Sequence, residues 1–110
     1  MIALVEHRKQ DIAELCRRYR VERLDVFGSA ASGHFAPERS DLDFLVRFQQ
    51  RAPTGEYADR YLGFADALEE LFQRRVDLVS EESIRSPHFR QDVEATRQPL
   101  YDRARAEAAV

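Results

Sequence analysis

Two aspartates stand two residues apart in Ser40-Asp41-Leu42-Asp43-Phe44-Leu45-Val46, a run that otherwise reads as an apolar strand. The two-residue period of a strand puts both carboxylates on one face. Aspartate is depleted in strands and like charges on one face repel, so such a pair implies that something positive sits between them. A divalent metal is the natural candidate. Upstream, Val26-Phe27-Gly28-Ser29 reads as an apolar strand ending in Gly-Ser at the mouth of a short helix. Gly28 has no Cβ and lets a phosphate approach the backbone. Ser29 offers a hydroxyl, and the amides that follow point outward at a helix start. A third strand aspartate, Asp77, lies in Arg75-Val76-Asp77-Leu78-Val79.

The elements around these residues decide whether they meet. Ile12, Leu15, Cys16 and Tyr19 recur at i, i+3, i+4 and i+7, which predicts a helix over about Val5 to Tyr19. Strand one is expected over Arg23 to Gly28, with a short helix from Ser29 that Gly33 and Pro37 end. A loop through Glu38 and Arg39 returns the chain, so strand two, from about Asp41 to Phe48, should run antiparallel to strand one. Its Leu42, Phe44 and Val46 face the helices; Asp41, Asp43 and Leu45 face the other way. Tyr57, Tyr61, Phe64, Ala65, Leu68 and Leu71 stripe a long helix from about Glu56 to Arg74. An aromatic stripe at this spacing is read as core. That helix is a crossover of the length a parallel connection needs, so strand three, Arg75 to Val79, should lie parallel to strand two and bring Asp77 to the end occupied by Asp41 and Asp43. A turn at Ser80 to Ser83, a helix from about Pro87, an edge strand or extended tail at Leu100 and Tyr101, and a frayed helix at the end complete the expectation.

The chain has 110 residues, room for one domain with one core. With 44% hydrophobic and 34% charged residues it reads as an ordinary globular protein. No apolar run reaches membrane-span length, and Glu6, His7, Arg8 and Lys9 interrupt any signal-peptide core, so a cytoplasmic location and no membrane partner are expected. A net charge of −3 argues against nucleic acid as the primary partner. The arginine clusters at positions 17–23 and 74–75 are read as solvated helix ends. Cys16 is read as a small core residue, and the three histidines show no metal-ligand spacing. No Gly-x-x-x-x-Gly-Lys-Ser/Thr loop is present, which disfavours γ-phosphoryl transfer by that route.

Gly28-Ser29, eleven residues, Asp41-Leu42-Asp43 and the later lone Asp77 together resemble the polymerase-β-type nucleotidyltransferase superfamily, and the short chain is similar to its minimal nucleotidyltransferase branch. The likeness runs from about Leu24 to Tyr101, with residues from about 102 to 110 as a tail. It implies an α/β fold with a small mixed sheet of three to four strands packed with helices. It also implies a single nucleotidyltransferase domain over residues 1–110. By resemblance Asp41, Asp43 and Asp77 are catalytic and hold metal, two Mg²⁺ ions being expected, and Gly28, Ser29 and Ser40 bind the nucleotide. ATP would be the substrate and AMP the group transferred. The branch implies an antitoxin whose partner is a HEPN-domain toxin, modified on a tyrosine. Contact-only neutralisation, and transfer to RNA or a small molecule, stay open beside it. One departure is visible: many members carry Ala-Arg-Gly after the Gly-Ser, whereas this chain has Ala31-Ser32-Gly33. Either activity is weaker or an arginine comes from elsewhere.

Overall fold

The computed structural model describes residues 1–32 and 41–108. In chain order these form α1 (Ala3–Glu6), α2 (Lys9–Arg18), β1 (Val21–Phe27), α3 (Ser29–Ser32), β2 (Leu42–Phe48) and α4 (Gly55–Phe72). β3 (Val76–Ser80), a 3₁₀ turn (Glu81–Ser83), α5 (Pro87–Thr96), β4 (Gln98–Asp102) and α6 (Arg103–Ala108) follow. The strands make one sheet in the order β3-β2-β1-β4. β1 is antiparallel to both β2 and β4, and β2 is parallel to β3 across the α4 crossover.

The larger core lies on one face of this sheet. Leu24, Val26, Leu42, Phe44 and Val46 are fully buried there, as the alternation of β1 and β2 requires, and they pack with Ile12 and Cys16 of α2 and Phe64 and Leu68 of α4. Aromatic contacts knit the layers: Phe44 stacks on Phe72 at 5.9 Å between ring centroids, and Phe48 meets Phe64 edge-on at the same separation. Burial holds the Cys16 thiol far above its usual titration range, in keeping with a core role.

The opposite face differs from a simple open working face. Leu45 is buried there with Phe27 and Val93, flanked by Val79 and Ile84. α5 therefore covers the middle of this face, leaving the aspartates at its rim.

The expected first helix is divided. Arg8 has left helical geometry (φ −111°, ψ 12°), while the Ile2 amide donates to the Ala30 carbonyl at 3.0 Å, an anchor that sets the first turn independently of α2. β1 begins two residues earlier than expected, at Val21, straight after Arg20 in the left-handed region (φ 57°). α4 stops at Phe72 because Gln73 takes left-handed geometry at its C-cap (φ 54°), and Thr54 caps its start by accepting the Tyr57 amide. Ser86 and Pro87 open α5, with the Ser86 hydroxyl accepting the Phe89 amide at 3.3 Å. Pro99 disfavours helical geometry at Gln98, and the chain pairs there instead as the edge strand β4. Among the described residues no helix is long and apolar enough to cross a membrane.

Candidate active site

Registry brings the acidic residues together. Asp43 of β2 is paired with Asp77 of β3 in the parallel ladder, and on its other side with Phe27 of β1. Facing strands lie about 4.8 Å apart, so the two carboxylates leave neighbouring strands on the same face. Asp41 immediately precedes β2, at the same end of the sheet. Asp43 is half-buried, whereas Asp41 and Asp77 are exposed. Burial, then the charge of Asp77, then that of Asp41, push the Asp43 carboxyl up to about 6. Among the described residues no ion pair reaches any of the three. Nor, among those residues, are three or more His, Cys, Asp or Glu side chains already gathered into a cage for an ion.

Gly28 ends β1 against this group. Its φ of +71° suits glycine alone without strain. A Cβ built there would stand 2.6 Å from Asp43 Oδ2, so only a bare backbone allows the turn and the carboxylate to approach so closely. Ser29 opens α3, and the Ala31 and Ser32 amides fold back onto the Gly28 carbonyl at 3.2 and 3.0 Å. The Ser29 side chain is half-exposed beside the acidic rim. Ser40 lies outside the described residues, as does the loop through Glu38 and Arg39.

Three further residues shape the site. The Gly28 amide donates to Thr96 Oγ1 at 2.9 Å. Arg97 binds Asp25 of β1 through Nε and a terminal nitrogen, both 2.5 Å from Oδ2, and also meets Glu94 at 2.7 Å and Glu81 at 3.3 Å. Burial pulls the Arg97 guanidinium down, but hydrogen bonds to Asp25 and Glu94 outweigh it and hold the group charged. On the other side, the Tyr61 hydroxyl donates to the Leu78 carbonyl, tying α4 to β3 next to Asp77. Burial, followed by Tyr57 and Asp77, raises that phenol. One sequence signal pointed at the Asp25–Arg97 pair: Asp25 breaks an apolar strand on the face that carries Asp43. Nothing in the pattern around Thr96 marked it.

A profile of the nucleotidyltransferase domain matches residues 9–100. This chain belongs to that family. The nucleotidyltransferase is 37% identical over 83 residues to the protein adenylyltransferase MntA of Thermococcus cleftensis, an alignment spanning 76% of this chain and 75% of the relative. Among solved structures, a toxin-antitoxin with AMP-PNP superposes with a TM-score of 0.67 at 21% identity, over 92% of this chain and 78% of its own. A tri-AMPylated Shewanella oneidensis HEPN toxin in complex with its MNT antitoxin gives a TM-score of 0.58 at 20% identity, over 96% and 78%. At these identities the likeness to the two structures is one of fold: a four-stranded mixed sheet with helices, in the polymerase-β-like arrangement.

Proposed function

We propose that this nucleotidyltransferase is a Mg²⁺-dependent protein adenylyltransferase that acts as an antitoxin, moving AMP from ATP to a hydroxyl, specifically a tyrosine, of a HEPN-domain toxin. The observation that carries the reading is the juxtaposition of Asp43 with Asp77 beside Gly28, with Asp41 at the same strand end. Three carboxylates at one sheet end, two of which raise the proton affinity of Asp43 between them, are a donor set suited to a hard divalent cation, which would relieve that repulsion. Asp41 and Asp43 would hold the ion that arrives with the triphosphate, and Asp77 the one beside the incoming hydroxyl. Bound there, two Mg²⁺ ions would stabilise the attacking oxygen and the leaving pyrophosphate.

The chain's own part is orientation. The Gly28-Ser29 turn presents a side-chain hydroxyl and the opening amides of α3 to the phosphates, and Ser40 would add a second hydroxyl. The hydroxyl oxygen of the acceptor attacks the α-phosphorus and loses its proton. The bond from that phosphorus to the β-phosphate's bridging oxygen breaks, and pyrophosphate leaves. Arg97 is not the arginine missing after Ala31, because its guanidinium is occupied by Asp25, Glu94 and Glu81. The relative named as a protein adenylyltransferase supports AMP as the group moved and a protein as its acceptor, and the fold neighbours support a HEPN toxin as that protein. The catalytic core is assigned to Leu24 through Tyr101 of a single domain, working in the cytoplasm.

The test is incubation with ATP, Mg²⁺ and the product of the neighbouring gene, followed by intact-mass measurement. One or more AMP increments on the partner are expected. Silencing of the partner's RNase activity with no mass gain would replace this reading by neutralisation through contact, and AMP found on RNA or a small molecule would move the acceptor.

A further inference from the structure

The last turn of α5 reaches the Gly-Ser turn through a single hydroxyl. Thr96 Oγ1 accepts the Gly28 amide at 2.9 Å and donates its own proton to the Asp92 carbonyl at 3.1 Å. A threonine hydroxyl has one proton, so with that proton committed to Asp92 its lone pairs are aimed at Gly28. The amide so held belongs to the one residue whose φ of +71° and missing Cβ let the turn close on Asp43. Its orientation fixes the Phe27–Gly28 peptide plane at the entry to the turn that leads into Ser29 and α3.

The next residue anchors this contact. Arg97 is the C-cap of α5, and its guanidinium is fastened to Asp25, which is 2% exposed and lies in β1 three residues before Gly28. Asp25, Arg97, Thr96 and Gly28 thus close a loop: the strand that ends in the turn also holds the helix end that shapes the turn. A tether needed only to keep α5 on the sheet is already supplied by Val93 packed on Phe27 and Leu45 and by the ion pair itself. The bond to Gly28 lies outside that apolar cluster and is made to the turn itself.

We propose that Thr96 is a positioning residue for the nucleotide. It holds the Gly28-Ser29 turn in the shape that receives the phosphates, while Arg97 and Asp25 hold Thr96 in place. The inference rests on the nucleotidyltransferase reading of this site. It also assigns the phosphate-facing donors to the Ser29 hydroxyl and the Ser29 and Ala30 amides, since the Gly28 amide is spent on Thr96 and the Ala31 and Ser32 amides on the Gly28 carbonyl.

Calorimetric titration of the full chain with Mg²⁺ and AMP-PNP, alongside thermal melts, tests this without a protein acceptor. Thr96→Val should weaken the dissociation constant by about tenfold, the scale of one hydrogen bond, with the melting temperature close to wild type. Thr96→Ser keeps the hydroxyl and should restore affinity to within about twofold of wild type. Thr96→Ala serves the same comparison if the valine variant does not fold. Unchanged affinity in the hydroxyl-free variant would overturn the proposal. So would equal losses in the valine and serine variants, or a lower melting temperature and binding stoichiometry at an unchanged dissociation constant, the mark of a merely structural contact. A wild-type chain that binds no AMP-PNP would instead bring down the nucleotide-binding reading, and the inference with it.

Discussion

Asp25 and Asp43 face the same side of the same sheet, two register rows apart, and the fold treats them in opposite ways. Asp25, paired across the ladder with Leu45, is almost wholly buried and receives the Arg97 guanidinium. Asp43, paired with Phe27 and Asp77, is half-buried, and among the described residues the charges that act on it are the like charges of Asp77 and Asp41. A buried carboxylate without a cation is costly, so the first arrangement is what a fold needs. The second leaves electrostatic strain in place at the rim, where an incoming cation could relieve it. Charge paired with a cation marks the scaffold here, and charge left unpaired among the described residues marks the proposed site.

The largest effect should come from removing the unsatisfied pair. Asp41→Asn with Asp43→Asn is expected to lower AMP transfer by about a thousandfold or more, since both carboxylates proposed to hold the triphosphate's metal ion are lost together. The fold should survive, because the change removes repulsion rather than attraction. A labelled-ATP transfer assay beside a thermal melt checks both halves. Transfer that persists would mean the rim charges are not the site, and the contrast with Asp25 would lose its meaning.

Breaking the satisfied pair should do the reverse. Arg97→Met leaves the Asp25 carboxylate under α5 with only the more distant Arg23 guanidinium, 3.9 Å away, and a loss of about 3 kcal/mol in unfolding free energy is expected by urea titration, the lower end for a broken buried pair because Arg97 keeps some solvent contact and Arg23 remains. Adding Asp25→Leu removes both charges and should recover most of that loss. A single variant that unfolds as the wild type does would show that the pair is no anchor.

The same contrast explains what was legible in the sequence. The rim was readable because its residues are local anomalies: a carboxylate pair in an apolar strand, and a glycine where a strand must turn. Strand directions followed from connection lengths, and the parallel β2-β3 pair that sets Asp43 against Asp77 could be inferred from a single long helix. Asp25 carried the same kind of anomaly but lies inside the Arg23 to Gly28 stretch expected as strand one. Its partner lies 72 residues away, and nothing in the pattern near Arg97 specifies a long-range ion pair. Thr96 was invisible for a stronger reason. Its function depends on one lone pair meeting one amide, and hydrogen-bond geometry of that kind leaves no periodicity to read. The cover that α5 gives the working face was missed because Phe27, Leu45 and Val93 come from three separate elements and form a core only once assembled.

The smallest effect is a pH dependence belonging to Asp43 alone. Its carboxyl titrates at about 6 in the folded chain against an ordinary value of 3.8, so folding favours its protonated form. Below the lower value both folded and unfolded chains hold the proton, and no difference arises. Between the two values the folded chain binds more protons, so stability falls as pH rises; above the folded value the penalty is complete. The full shift would correspond to about 3 kcal/mol, but a half-exposed group is screened by solvent, and roughly 1 kcal/mol is the expected cost. In melts run from pH 4 to pH 7, wild type should therefore lose about 5 °C relative to Asp43→Asn, with most of the divergence complete by pH 6. At pH 7, Mg²⁺ should recover part of that difference in wild type and leave the asparagine variant unmoved, because an ion that binds only the folded state stabilises it by mass action. Parallel melting curves for the two chains would show that Asp43 is compensated after all, and would place it with Asp25 on the scaffold side of the comparison.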